Sequence, residues 1–251
     1  MFYGYEKGRL FYAIRLLFFR TYGKIHVNSQ VDDTQMKKLI LKTALITLGV
    51  TIIVAVSLFG ILSFCAPASM MRFFDSLGLE NISGDYAYQE YQNSKDIAFL
   101  VRAFEVAAEH KNDSVADARF TELCGEAGSE QRKAFYAYCE KRNKENLPAG
   151  VPDYDYRAYL FGRAACVKYR LATTEEEFEA VADFAIGYAQ NEEGGRLSVE
   201  SPVVVLAIEA IDAGDGRFCI IFLNKLEKSG LDRENAHFER IVNFLKEAAN
   251  E

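Results

Sequence analysis

The chain has 251 residues and a formal net charge of −7, and half of its residues are hydrophobic. Four Pro, no Trp, three His and little strand-like alternation argue against a β-rich domain or a His-based metal protein, and for helices. The charge is unevenly spread. Positions 1–42 hold eight Lys or Arg against three acids, for +5, whereas positions 72–251 hold 21 basic and 33 acidic side chains, for −12.

Residues 1–33 read as a basic-aromatic segment. Eight aromatics fall between Phe2 and Tyr22, interleaved with Arg9, Arg15 and Arg20. Phe11, Arg15, Phe18, Phe19 and Arg20 are the candidate membrane-interface residues, because such a helix suits the headgroup region of an anionic inner leaflet. It is too short and too charged to span. Rings and cations together also suit nucleic acid. A region this apolar beside a bilayer has a simpler home in lipid, so no nucleic-acid partner is expected. Docking on a second membrane protein is the alternative.

Residues 34–71 read as a transmembrane helix with its flanks. No charge occurs from Thr43 to Met71, and more than half of the core 44–66 is Leu, Ile, Val or Phe. As a helix that core is about 34 Å long, against a hydrocarbon thickness of about 30 Å. The basic flank predicts a cytoplasmic N-terminus and an acidic part outside the cytoplasm. Ala66-Pro67-Ala68 resembles a signal-peptidase site. However, the segment 1–42 is long for a signal peptide's leading region, and the apolar core that follows it is longer than a signal peptide carries. An uncleaved signal anchor is therefore expected. Thr43, Thr47, Thr51 and Ala55 form a ridge of small side chains where a second copy of the helix has room to pack. Simple tolerance of Thr is the plainer reading.

Residues 72–82 read as a stalk, and residues 83–251 as one helical domain. Helix punctuation recurs along it. Ser94 precedes Ile97, Leu100, Val101 and Phe104; Asn112-Asp113 precedes Ala116 and Phe120; Gly125 and Ser129 separate two runs. Asp153 opens the run of Tyr156, Leu160 and Ala164. Thr174-x-x-Glu177 has the form of a capping box, Ser201-Pro202 starts a further helix, and Gly214 and Gly230 stop two more. About eight short helices with tight connections pack as antiparallel hairpins. The runs at 203–211 and 218–223 are apolar nearly all round and are expected to be the most buried. Asp85-Tyr-x-Tyr-x-x-Tyr91 recurs as Asp153-Tyr-x-Tyr-x-x-Tyr159. The offset matches two tetratricopeptide periods of roughly 34 residues each. The array loosely resembles such repeats, although no Leu-Gly pair or closing Pro accompanies Ala116 and Phe120. The fold expected is therefore all-α: a single-pass helix plus an extracytoplasmic array of helix hairpins.

No zinc-protease, phosphate-loop, dinucleotide or nucleophile-elbow motif is present. Asp212-Ala-Gly-Asp215-Gly216 lacks the ligand spacing of a calcium loop and reads as a turn. His110 and His237 read as surface residues. No cofactor or metal is expected. Cys124, Cys139, Cys166 and Cys219 are expected to be free thiols, with a Cys124–Cys139 bridge the conceivable alternative. Asn81-Ile-Ser and Asn112-Asp-Ser are sequons that matter only in a eukaryotic secretory pathway. Tyr88, Tyr91, Tyr156 and Tyr159 form two i,i+3 pairs and are the candidate interaction surface if exposed, or core fill if buried. The leading expectation is a membrane-anchored interaction module with lipid and a protein outside the cytoplasm as partners. A transmembrane sensor and a cell-envelope enzyme are the alternatives.

Overall fold

The computed structural model describes residues 33–145 and 155–249. The segment holding Phe11, Arg15, Phe18, Phe19 and Arg20 lies outside the described residues, as do Asp153 and Tyr154. Eleven α-helices and no strands occur among the described residues.

α1 (Asp33–Cys65) is long and apolar enough to cross a membrane, and none of its apolar window is buried. Its threonine hydroxyls are internally satisfied. Thr43 Oγ1 donates to the Leu39 carbonyl at 2.9 Å, Thr47 to Thr43 at 2.9 Å and Thr51 to Thr47 at 2.8 Å. Hydroxyls bonded back to their own helix account for the Thr spacing without a partner helix. The chain divides into two units, Met1–Phe59 and Gly60–Glu251. The second holds the last turn of α1 and all the later helices.

α1 ends at Cys65, and Pro67 opens α2 (Pro67–Ser76) after a single intervening residue. Pro supplies its fixed φ at the first helical position and has no amide to lose there. Residues 67–71, read in the sequence as a flank of the spanning helix, belong to this second helix. The segment 72–82, read as a stalk, is also largely helical. Pro67, Met70 and Phe74 recur on one buried face of α2, and α3 (Glu80–Ser94) starts before the segment ends. Asp75 Oδ1 accepts from Ser83 Oγ and, at 3.2 Å, from Arg102 Nη2, which ties α2 to α3 and to α4 (Ile97–Glu109). Ser63 Oγ and Tyr86 OH share a 2.8 Å hydrogen bond, joining the last turn of α1 to α3.

The remaining helices are α5 (Asp113–Cys124), α6 (Glu130–Glu145), α7 (Tyr156–Leu171), α8 (Glu175–Glu192), α9 (Pro202–Asp212), α10 (Gly216–Lys228) and α11 (Ala236–Ala248). Several ends carry the chemistry read in the sequence. Thr174 and Glu177 make a full capping box on α8. Gly214 and Gly230 take φ of +66° and +70° past the ends of α9 and α10, where a left-handed residue stops a helix without Cβ strain. Asp215 is occupied as the N-cap of α10, accepting from the Phe218 amide, and also accepts from the Tyr169 hydroxyl. One start lies slightly beyond the sequence signal, since Asp96 rather than Ser94 caps α4, and Asn235 caps α11 five residues after Gly230.

α5 lies beside α7, α7 beside α9, and α9 beside α11, while α8 lies beside α10. Two buried clusters result, and α7 serves both. Tyr156, Leu160, Phe161, Ala164 and Val167 belong to the cluster with α3–α6; Ala165 and Tyr169 belong to the cluster with α8–α11. Ten residues of α7 are buried, more than in α9 or α10, so the expectation that the latter two are innermost is corrected. Ile208 and Ile220 stand about half exposed, on the faces of α9 and α10 that no neighbouring helix covers. At Gly162 of α7 a Cβ would lie 3.2 Å from Val205, which shows how closely α7 and α9 approach.

The two Tyr-rich motifs occupy different structural positions. Residues 85–91 all lie inside α3, whereas Asp155 is the N-cap of α7 and Tyr156 its first residue. α5, α7 and α9 begin at Asp113, Tyr156 and Pro202, wider apart than the tetratricopeptide period of roughly 34 residues, whereas the starts of α3 and α5, and of α9 and α11, lie close to that period.

Candidate functional site

The four candidate tyrosines separate into two kinds. Tyr91 and Tyr156 are each 4% exposed and belong to the core. Their rings face inward because each is the member of its i,i+3 pair that meets α4–α6. Tyr88 and Tyr159 are half-buried at the rim. Tyr88 is covered by the Arg119 guanidinium, 3.0 Å from its ring centroid, and its hydroxyl donates to Glu122 at 3.1 Å. Tyr159 stacks on Tyr156 at 5.9 Å.

Arg119 leads to a groove of about 490 Å³ between α3 and α5. α4 forms its floor, and Ala103 and Ala107 keep that floor low. Gly84 lets α3 lie close to α4, since a Cβ there would come within 2.7 Å of Val106. The rim carries Asn81 and Asp85 from α3, His110, Lys111 and Asn112 from the α4–α5 connection, and Arg119 from α5. Lys111 takes a φ of +56°, which turns the chain sharply from α4 into α5 and sets three polar residues in succession along the rim. His110 Nε2 lies 3.5 Å from Glu80 Oε2. His110, Lys111 and Arg119 thus stand at the opening with two acids, Glu80 beside His110 and Asp85 on α3. Both sequon asparagines line this groove. Apart from those asparagines, His110 and Asp85, which opens the first Tyr-rich motif, its rim residues belong to no motif in the sequence. The available signal is the polar run His110-Lys111-Asn112 between two apolar helices.

A second group of charges is half-buried around Glu105. Tyr156 OH donates to Glu105 Oε1 at 2.8 Å, and Tyr138 meets Tyr156 edge-on at 6.2 Å. Burial pushes the Glu105 carboxyl above its ordinary range; the Tyr156 hydrogen bond and the nearby Arg102, Arg142 and Arg163 pull it back only in part. The folded chain therefore holds this proton more tightly than the unfolded chain. Stability from this site grows as pH falls toward the ordinary carboxylate range and is lost as pH rises through the raised value. Glu105→Gln keeps an acceptor for Tyr156 and removes the buried charge. It is expected to raise the thermal midpoint at neutral pH by a few degrees, with the gain shrinking in acid, as read by helical circular dichroism across pH.

The cysteines are unpaired thiols. Burial raises Cys139 and Cys166 to about 12 and Cys124 to about 11, so none of the three is a nucleophile near neutrality. No cluster of three or more metal-ligating side chains occurs among the described residues. The groove rim suits hydrogen bonding and charge pairing with a bound segment.

No family model matches this chain, and neither a curated protein nor a solved structure aligns with it significantly.

Proposed function

We propose that this chain is a membrane-anchored interaction module: α1 holds it in a bilayer, and a helical array outside the cytoplasm receives a protein segment in the groove between α3 and α5. The groove is the observation that carries the reading. It is open, it is floored by small residues, and its rim places Lys111 and Arg119 near Asp85, with His110 paired to Glu80. Such a rim offers both signs of charge, and its two cations can pair carboxylates of a bound segment. The side-by-side order α5, α7, α9 and α11, with α8 beside α10, is consistent with stacked hairpins of an extended helical array, which present concave faces of this kind.

Length and composition support the anchor. The charge contrast, +5 before α1's uncharged stretch and −12 after it, supports a cytoplasmic N-terminus. Protease added to intact cells is expected to digest residues 72–251; protection until lysis would reverse the assigned orientation.

A photo-crosslinking residue at Asn112 tests the groove in living cells. A discrete adduct with a second protein is expected, and Lys111→Glu with Arg119→Glu is expected to lower its yield about tenfold, the equivalent of roughly 1.4 kcal/mol. An adduct unchanged by the double substitution, or none at all while the protein stays folded and at the membrane, rules the groove out.

A further inference from the structure

We propose that the face of α2 carrying Phe73 and Leu77, together with Leu79 and Ile82, lies in the headgroup–acyl boundary of the bilayer that α1 enters. The proposal rests on reading α1 as a membrane span and adds a second, surface-lying contact to it.

α2 is apolar on two sides. Pro67, Met70 and Phe74 are buried toward α3. Phe73 and Leu77, an i,i+4 pair, are 49% and 55% exposed, and Leu79 and Ile82 continue the exposure into α3. Phe64, in the last turn of α1, is 79% exposed. Among the described residues, ten large hydrophobics from Phe64 onward are exposed: five fall between Phe64 and Ile82, and the other five are spread from Leu171 to Phe244. Isolated exposed hydrophobics are ordinary, but a run of them in one short segment marks a surface with a partner.

Chain connectivity identifies the partner. The uncharged stretch from Thr43 to Cys65 is about 34 Å long as a helix, against a hydrocarbon layer of about 30 Å, so Cys65 falls at a boundary. Only Ala66 separates Cys65 from Pro67, which holds the start of α2 within about 8 Å of the end of α1. The Ser63–Tyr86 hydrogen bond and the Ala68 amide donating to Glu90 Oε2 at 3.2 Å fasten the same corner to α3. Arg72, exposed beside Phe73, brings a cation to the level of lipid phosphates. A protein partner would have to reach this face across the lipid headgroups, whereas lipid is already there.

The chain contains no Trp, so one introduced Trp is a unique reporter. Full-length Phe73→Trp and Leu77→Trp variants are reconstituted into vesicles of phosphatidylcholine and phosphatidylglycerol, with bromine on the acyl chains near the headgroup. Val199→Trp, exposed between α8 and α9, is the control. The indoles of the F73W and L77W variants should lose about half their emission to the brominated lipid, as for rings roughly 5–10 Å into the boundary, and the control should lose almost none. Unquenched indoles in F73W and L77W chains that resist alkaline carbonate extraction would overturn the surface contact and leave the anchor standing. Unquenched indoles in chains joined through a Cys65–Cys65 disulfide would overturn it in favour of a second copy. Extraction of the chain by carbonate would remove the span reading and the surface contact together.

Discussion

Arg170→Met is expected to cost about 2–4 kcal/mol of stability, one of the two largest single-residue losses anticipated in this chain. Arg170 leaves α7 and meets Asp113 of α5 through Nε at 3.0 Å and Nη2 at 2.7 Å, while Nη1 reaches Glu209 of α9 at 2.7 Å. Three adjacent helices are thus held by one guanidinium. Burial disfavours its charge, but the hydrogen bonds it donates to Asp113 and Glu209 outweigh that cost and hold the group above its ordinary value. Arg170 and Asp113 side chains are only 20% and 16% exposed. Removing the cation therefore strands a largely desolvated carboxylate, which is the source of the loss; the remaining exposure keeps the figure below that of a fully buried pair. Arg170→Met combined with Asp113→Asn should recover part of it, because the stranded charge is gone. The check is a double-mutant cycle by thermal unfolding. Strictly additive single effects would show that the pair is not coupled. Arg170→Lys should not rescue, since an ammonium cannot present the same planar fork.

Phe161→Ala is expected to cost about 3–5 kcal/mol and to loosen both halves of the helical body. Its ring lies among Phe120, Phe135, Phe184 and Tyr188, with centroid distances of 5.0, 6.5, 5.8 and 4.5 Å. Truncation leaves a void that four large rings from α5, α6 and α8 cannot all close. α7 also supplies Ala165 and Tyr169 to the other cluster, where Tyr169 packs on Phe218 at 4.7 Å. Amide exchange should therefore quicken in α10 and α11 as well as in α5 and α6. Exchange unchanged in α10 and α11 would make the two clusters independent folding units.

The order in which helices begin and end is largely legible from residues at their ends. The Thr174–Glu177 box, Pro202, Gly125, Gly214 and Gly230 act locally, through φ preferences and single hydrogen bonds, so they can be read without knowing the fold. Burial is less legible. α7 carries Arg157, Arg163, Lys168 and Arg170, which disguise it as a surface helix. In the fold, long side chains leave a buried backbone and find acids at its edges: Arg157 meets Glu192 at 3.0 Å, and Lys168 meets Asp117 at 2.6 Å. The 218–223 run shows the reverse. Its consecutive apolar side chains cover every side of a helix, and only those facing a neighbour become core. α2 escapes a sequence reading because Pro67 and Gly78 look like linker punctuation, and because its buried face is only Pro67, Met70 and Phe74. The groove is the least legible part, since it depends on Gly84, Ala103 and Ala107 being small where two helices and a floor meet.

A single residue, Ala66, separates α1 from α2. Asp85, on the groove wall, immediately precedes Tyr86, which is bonded to Ser63 in the final turn of α1. Whatever reshapes that wall therefore acts on α3 one residue from its hydrogen bond to the last turn of α1, so the groove and the short Ala66 corner share one stretch of backbone.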